Sequence, residues 1–476
     1  MLALHTKTKI SMSEIKFGTD GWRAIIADDY TVDNVKRVSS AVADYLLKIN
    51  ITPSIVIGHD CRFGGKMFLE TATAVFCSKG IRVVIGKGIV STPMVSLGTK
   101  EFDADMGIVI TASHNPPSYN GYKLKSSFGG PSSPKVVNDV EALIPESFDS
   151  DILSVEEYEK QGLVSYEDLE SLYMEQLKES FDLKLIKENI CFAYDAMYGA
   201  GFPIMKKLFP DSDLLHCEYN PSFYGQAPEP IHKNLSEFSD FIKNNDKVSF
   251  GFATDGDADR IGMYNSKGEF IDSHHIILLI IHYLCKYKSE KGKVVIAFSV
   301  TDRVKKMCEH YGLDYDVTKI GFKYIAENMV HEEILVGGEE SGGIAIGSHI
   351  PERDGIWIGL TLIEFMAKTG KSLEDLINEI YDIVGPFKYS RDDLHLTEEK
   401  KQEIIKACKS DQYKMFGEHK IDYVEKIDGF KFFFDKGEWI MIRPSGTEPV
   451  LRVYCEAESY SGVDKLLSAV KETILS

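Results

Sequence analysis

The chain reads as α/β, built from several domains and closed by an α+β module. Three observations predict this. Five β-branched runs, Ile55–Gly65, Gly107–Asn115, Ile190–Gly201, Phe250–Asp259 and Val294–Arg303, each end in a polar or glycine-rich turn and lead into a helical period. The length, 476 residues, exceeds a domain of roughly 100–200 residues several times over. The last segment changes layout, with strands FKFFF, EWIMIRP and VLRVYCEA flanked by helices, the later one over Gly462–Leu475.

Taken in order, IVIGHD followed by Gly64 is similar to CFAYDAMYG followed by Gly201, which suggests a repeated domain. The stretch Glu146–Gly162 is acidic and irregular. Tyr166–Phe181 then reads as an amphipathic helix with Leu169, Leu172, Tyr173, Leu177 and Phe181 on one face. A glycine turn at Gly268–Asp272 precedes another apolar helix, and Gly385-Pro386 ends the helix that begins near Ser372. These signals divide the chain into 1–152, 153–268, 269–384 and 385–476.

Hydrophobic residues make up 43% and charged residues 27%, the balance of a folded soluble protein. The net charge of −19 argues against nonspecific nucleic-acid binding and against docking on an anionic membrane. An anionic substrate therefore needs local clusters of Arg and Lys. The eight cysteines are widely spaced, without a C-x-x-C pair, and read as buried thiols in a reducing compartment. MLALHTKTKI lacks the apolar core of a secretory signal and Ile276–Ile281 is too short to span a bilayer, so a cytoplasmic location is expected. Met12 is a candidate start, which leaves the first eleven residues without a structural role.

Four motifs carry chemistry. At Thr111-Ala112-Ser113-His114-Asn115-Pro116-Pro117 an apolar strand runs into a hydroxyl, an imidazole and two prolines, at the strand end where α/β sheets bind ligands. The competing reading is a turn in which Ser113 bonds only backbone amides. Asp255-Gly256-Asp257-Ala258-Asp259-Arg260 places three carboxylates at alternate positions, which repel unless a cation joins them, and such a set suits Mg²⁺. Its sixth and twelfth positions, Arg260 and Ser266, reject a calcium EF-hand. Arg260 beside that cluster implies an anion between guanidinium and metal, such as a phosphoryl group on Ser113. Arg443-Pro444-Ser445-Gly446-Thr447-Glu448-Pro449 offers a guanidinium, two hydroxyls and a flexible backbone to a second phosphate, with Arg452 able to join. Gly337-Gly338-Glu339-Glu340-Ser341-Gly342-Gly343 fits sugar hydroxyls or an ordinary exposed loop.

In this order, KFGTDGWR at Lys16–Arg23, TASHNP, DGDADR, GEESGG and RPSGTEP, the motifs resemble the α-D-phosphohexomutase family of phosphoglucomutases and phosphomannomutases. The resemblance implies four domains around a central cleft, three similar mixed α/β sandwich domains and a C-terminal α+β domain. It implies that Ser113 is a phosphoserine, that Asp255, Asp257 and Asp259 hold Mg²⁺ with it, and that Arg23, His114, Lys123 and Arg260 surround the transferred group. Lys123 becomes a general acid/base candidate, which on an unperturbed value near ~10.4 would require neighbouring cations. Gly338, Glu339, Ser341 and Arg353 would bind the sugar, and Arg443, Ser445, Gly446, Thr447 and Arg452 the other phosphate. The implied reaction interconverts hexose 1-phosphate and hexose 6-phosphate through a bisphosphate, with glucose 1,6-bisphosphate as activator.

Sugar choice rests on departures. Gly343 stands where some glucose- and mannose-accepting mutases carry His, and Glu339-Glu340-Ser341, Ile320–Lys323 and Glu352–Gly355 look more like glucose-directed members. Arg353 stands where those members often have Lys; an arginine binds phosphate but shuttles a proton poorly. Glucose phosphate is favoured, mannose phosphate is a further substrate, and the alternatives are a phosphoglucosamine mutase, a metal-dependent sugar phosphatase or a non-enzymatic sensor. The oligomeric state is not legible.

Overall fold

The computed structural model describes residues 14–18, 20–444 and 450–476, which form two units, 1–271 with 343–368 and 272–342 with 369–476. The first unit opens with a six-stranded sheet. Its strands are β1 (Trp22–Ile25), β2 (Ser54–His59), β3 (Arg82–Gly86), β4 (Met106–Ile110), β5 (Tyr119–Ser126) and β6 (Val164–Glu167), in the order β1-β5-β4-β2-β3-β6. β2 and β4 are parallel and almost wholly buried, as their uninterrupted apolar runs require, whereas β5 runs antiparallel to β4. β6 joins β3, so this sheet draws on chain beyond residue 152. The helix expected over Tyr166–Phe181 is Leu169–Ser180, because Tyr166 is taken by β6 and Asp168 caps the helix through its carboxylate.

The next sheet holds β7 (Phe192–Asp195), β8 (Asp213–Leu215), β9 (Phe250–Thr254), β10 (Ile261–Asn265) and β11 (Phe270–Ile271), in the order β11-β10-β9-β7-β8. β7 lies between β8 and β9, parallel to both, and β10 returns antiparallel beside β9. β2 has the same neighbours: β3 on one side, β4 on the other, then antiparallel β5. The repeat read from two short motifs is thus a repeat of topology. Each first strand delivers an aspartate at or just past its carboxyl end, Asp60 after β2 and Asp195 in β7.

In the second unit β12 (Lys293–Ala297) lies between β13 (Tyr315–Thr318) and β14 (Ile334–Gly338), parallel to both, which continues the pattern. The run Ile276–Ile281 sits within the buried helix Ser273–His282, and among the described residues no helix is long and apolar enough to cross a membrane. The chain re-enters the first unit with β15 (Ile344–Ile346) and the helix Gly355–Thr369, whose Gly359 lets the Phe252 ring approach to where a Cβ would stand 2.6 Å from it. The helix after Ser372 ends at Gly385 as expected, with a reciprocal Ser372–Asp375 cap. The remaining residues build β16 (Lys388–His395), β17 (Met415–Phe416), β18 (His419–Lys420), β19 (Tyr423–Glu425), β20 (Phe430–Phe433), β21 (Trp439–Pro444) and β22 (Val450–Ala457). Five of them form the antiparallel sheet β16-β22-β21-β20-β19, packed against helices Glu398–Lys409 and Tyr460–Leu475.

The cysteines are all free thiols. Cys191 is exposed and Cys285 half-buried, against the expectation that all are buried: Cys191 precedes β7 and Cys285 lies in the helical turn Tyr283–Tyr287, which continues the buried helix Ser273–His282; the other six are buried.

Candidate active site

Ser113 stands just past the buried end of β4, with φ of +52°, the left-handed region that costs a non-glycine residue about 1–3 kcal/mol. Side-chain bonds hold it there. The Ser113 N–H donates to the Thr111 hydroxyl at 2.9 Å, which donates to Asp60 Oδ2 at 2.6 Å. Arg62, fully buried, donates to the carbonyls of Ser113 and Asn115 at 2.6 Å, Pro116 at 2.9 Å and Tyr119 at 3.0 Å, and its Nε lies 3.4 Å from Asp60. One guanidinium thus satisfies four carbonyls of a loop whose prolines leave it few backbone partners. The sequence alone did not single out Asp60 or Arg62. Their signal is the HDCR turn after β2, the same strand-end position that carries Asp195 and Asp255 on β7 and β9.

The acidic loop follows β9 and reaches this serine directly: the Ser113 hydroxyl donates to Asp255 Oδ2 at 2.5 Å. Gly256 makes the approach possible, since a Cβ there would lie 2.5 Å from the Ser113 carbonyl oxygen. Asp255, Asp257 and Asp259 are buried, with ligand oxygens all within 4.8 Å of one another. Asp255 Oδ1 accepts the N–H groups of Asp259 and Arg260, at 2.9 and 3.1 Å. Oδ2 of Asp257 accepts from Thr92 at 2.5 Å, whereas Oδ1 of both Asp257 and Asp259 is buried without a hydrogen-bond donor. Burial and the two neighbouring aspartates push the Asp255 carboxyl well above the usual carboxylate range. Three mutually repelling carboxylates, two of them with a buried oxygen that has no donor, fit a hard divalent cation such as Mg²⁺.

Lys123, on β5, departs from the sequence expectation. Its ammonium lies 2.7 Å from Asp257, 2.7 Å from Asp259 and 2.8 Å from Asp20, so carboxylates surround it where cations were required. Burial alone would lower its pKa, but Asp20, Asp257 and Asp259 outweigh burial and hold Lys123 charged, above the usual lysine range. Arg353 joins the same network: its guanidinium bonds Asp20 and reaches Asp259 at 2.6 Å. Next to it the Glu352 carboxylate forms an ion pair with the Lys125 ammonium at 2.5 Å. Asp20, Lys125, Glu352 and Thr92 escaped sequence reasoning, although Asp20 lies within the GTDGWR motif.

His114 has Nδ1 3.4 Å from the Ser113 hydroxyl. Burial, then Arg260, Arg23, Lys123 and Arg62, hold its pKa well below the ordinary value, so the ring is neutral. Arg23, on β1, donates to Asn115 at 2.7 Å, while the Arg260 Nε is buried without a hydrogen-bond partner, 3.9 Å from Asp259. Guanidinium groups converging on a hydroxyl and a neutral imidazole form a surrounding for a phosphoryl group.

The other predicted residues belong to the second unit. Gly338 ends β14, and Glu339 accepts the Gly321 N–H at 3.0 Å. Ser341 is a half-buried turn residue, and Glu340 is occupied elsewhere, its carbonyl by Ser273 and its carboxylate by Tyr389 at 2.9 Å. Arg443 and Arg452 face each other across β21 and β22, an arrangement of like charges that an anion would relieve, and Arg443 also reaches Asp428 at 3.2 Å. The Nε of each is buried without a hydrogen-bond partner. Ser445, Gly446 and Thr447 lie outside the described residues.

Known proteins resemble this chain along most of its length. Family profiles described as phosphoglucomutase/phosphomannomutase match as α/β/α domain I over residues 14–150, domain II over 171–268, domain III over 272–384 and C-terminal domain over 395–473. A phosphoglucomutase/phosphomannomutase of Thermococcus kodakarensis is 30% identical over 449 residues, covering 93% of this chain and 94% of the relative. A phosphoglucosamine mutase of Methanococcus maripaludis is 31% identical over 464 residues, covering 95% and 96%. A crystal structure from Thermus thermophilus, described as a candidate phosphomannomutase, superposes with a TM-score of 0.86 at 32% identity, covering 98% of this chain and all of that one. A Paramecium phosphoglucomutase, parafusin, at 22% identity and a TM-score of 0.83, covering 98% and 96%, shares the fold.

Proposed function

The chain belongs to the phosphoglucomutase/phosphomannomutase family of phosphohexomutases, and from that premise we propose that it interconverts hexose 1-phosphate and hexose 6-phosphate, glucose phosphate above all, through a phosphate carried on Ser113. The observation that carries the reading is the 2.5 Å contact between the Ser113 hydroxyl and an aspartate of the buried acidic loop. In this reading Asp255, Asp257 and Asp259 hold Mg²⁺, which when bound supplies charge stabilisation to a phosphoryl group in transfer. Arg23 and Arg260 orient the phosphoryl oxygens. As the bond from phosphorus to Ser113 Oγ breaks, a bond forms to the free hydroxyl of the sugar phosphate. That hydroxyl's proton passes to neutral His114, and charged Lys123 supplies the proton that Oγ regains. The resulting bisphosphate turns around and rephosphorylates Ser113 by the reverse steps. Arg443 and Arg452 fit the phosphate not being transferred, with Ser445, Gly446 and Thr447 in the same assignment; Gly338, Glu339 and Ser341 fit sugar hydroxyls. Arg353, first assigned to the sugar, fits a further role beside Asp20 and Asp259.

A second reading, phosphoglucosamine mutase, is favoured by the names of several relatives of similar identity. Specificity constants for glucose, mannose and glucosamine 1-phosphates, measured in one preparation with Mg²⁺ and a trace of the matching bisphosphate, decide between them. Release of stoichiometric inorganic phosphate without hexose 6-phosphate would overturn the mutase assignment in favour of a phosphatase. Near-normal turnover in Ser113→Ala would remove the phosphoserine.

A further inference from the structure

Behind the acidic loop, within the first unit, lies a cavity of about 190 Å³ that the proposed reaction does not use. Its walls are unusual in backbone and in chemistry. Met197, Tyr198, His216, Phe223 and Tyr224 line it, and all five have φ between +45° and +59°. Described non-glycine residues with positive φ number twelve, so this one cavity gathers five of them. Side chains kept in a conformation that glycine would adopt without strain mark a place where the side chains themselves are needed.

The rings of Tyr198 and His216 lie 4.8 Å apart, and those of Tyr198 and Tyr224 4.9 Å apart. Buried Asp195 accepts from His216 Nδ1 at 2.9 Å, and Glu237 lies 3.5 Å from Nε2. Two carboxylates thus face one imidazole, and Glu218 stands within 3.4 Å of the Tyr224 hydroxyl. Burial, then Tyr224 and the acids Glu218, Asp195 and Glu237, push the Tyr198 hydroxyl up to about 12, as a negative surrounding does. Aromatic faces with an acidic rim repel phosphates and attract cations with apolar substituents.

The cavity also adjoins the machinery around Ser113. The Ala200 N–H donates to the Gly256 carbonyl at 2.9 Å. The Phe223 ring lies 5.1 Å from the guanidinium carbon of Arg62, whose Nη2 holds the Ser113 carbonyl. One aromatic ring separates the cavity from the cation that organises the serine loop.

We propose that this cavity binds a small organic ammonium ion against the faces that the packed rings of Tyr198 and Tyr224 turn to it, with Glu237 as counter-charge, and that its occupancy is felt at the Ser113 loop through Phe223 and Arg62. The experiment titrates the full-length protein with choline by calorimetry, beside the uncharged isostere 3,3-dimethylbutan-1-ol. Choline is expected to bind saturably, and the isostere about tenfold more weakly or not at all, since the charge carries the recognition. Tyr224→Leu and Glu237→Gln are each expected to weaken choline by about tenfold with folding intact, because the residues are 70% exposed at Tyr224 and 78% in the Glu237 side chain. Choline is also expected to slow amide hydrogen exchange over residues 111–115. Absence of saturable binding, equal binding of the isostere, or equal binding by both variants overturns the site. Binding with unchanged exchange at 111–115 overturns the link to Ser113. These readouts are independent of mutase turnover, so they fail or succeed separately from the proposed reaction.

Discussion

Gly256→Ala tests whether the approach of two loops governs the reaction. The added Cβ would lie 2.5 Å from the Ser113 carbonyl oxygen and 3.1 Å from Pro228 Cγ. An ordinary contact starts near 3.4 Å, so the backbones must separate by 3.4 − 2.5 = 0.9 Å, and neither obstacle is a flexible side chain that can swing away. Gly256 does not have a left-handed φ, so the alanine introduces no strain of its own and the effect is one of space. Overpacking of this kind costs about 1–3 kcal/mol of stability. The larger effect falls on catalysis, because the shift opens the 2.5 Å contact between Ser113 and Asp255. A misplacement near 1 Å costs about 100-fold in rate, or ~2.7 kcal/mol of barrier. The assay measures hexose 1-phosphate turnover at saturating Mg²⁺, with urea unfolding in parallel, and uses Gly80→Ala as the control. Gly80 has φ of +80° with open space around it, so its alanine loses stability to backbone strain and keeps full turnover. A Gly256→Ala enzyme with kcat within about twofold of the parent would refute the argument that this spacing sets the rate.

Three further outcomes follow from the same geometry. Asp20→Asn removes the one carboxylate that Lys123, Lys125 and Arg353 all meet, leaving Asp257, Asp259 and Glu352 to balance them, and is expected to cost about 3 kcal/mol in urea unfolding; partial recovery by Asp20→Glu identifies charge as the cause, and an unchanged midpoint removes the role. Chelation is expected to abolish turnover, with Mg²⁺ restoring it, and Asp257→Asn or Asp259→Asn to weaken Mg²⁺ binding measured by calorimetry; full activity in chelator would count against the acidic loop as a metal site. The hydrogen bond from His216 to Asp195 raises the His216 pKa against the opposing effect of burial. Its stabilisation is therefore fully present below the unfolded value near ~6.5 and is lost as pH rises through the higher folded value. Urea midpoints of the parent should fall over that window while those of His216→Gln stay flatter, and parallel curves would discount the pair.

What the sequence made legible was what lies close together along the chain. The buried strands β4 and β9 announce themselves as apolar runs, and the three aspartates of one loop repel one another whatever surrounds them, so strand, loop and metal chemistry can be read from consecutive residues. The repeat was also visible, because β2 and β7 each end in a polar turn, although only the strand order shows that their neighbours repeat too. The partners that decide protonation and rigidity come from distant positions. Lys123 meets Asp20, Asp257 and Asp259 across separations of 103, 134 and 136 residues, and Arg62 holds carbonyls more than fifty residues away. No periodicity records such pairings; they follow from the register of β1 on β5 and of β2 on β4, which a single sequence does not contain. The expectation for Lys123 went astray for this reason. Sequence reasoning supplied the positive neighbours Arg23 and Arg260, whereas folding places the acids nearest to it. A buried lysine between carboxylates is held charged, and the proposed reaction therefore assigns it proton donation and assigns acceptance to the neutral ring of His114. The division of acid and base in the proposed reaction is accordingly a property of sheet register, not of the motifs that announce the site.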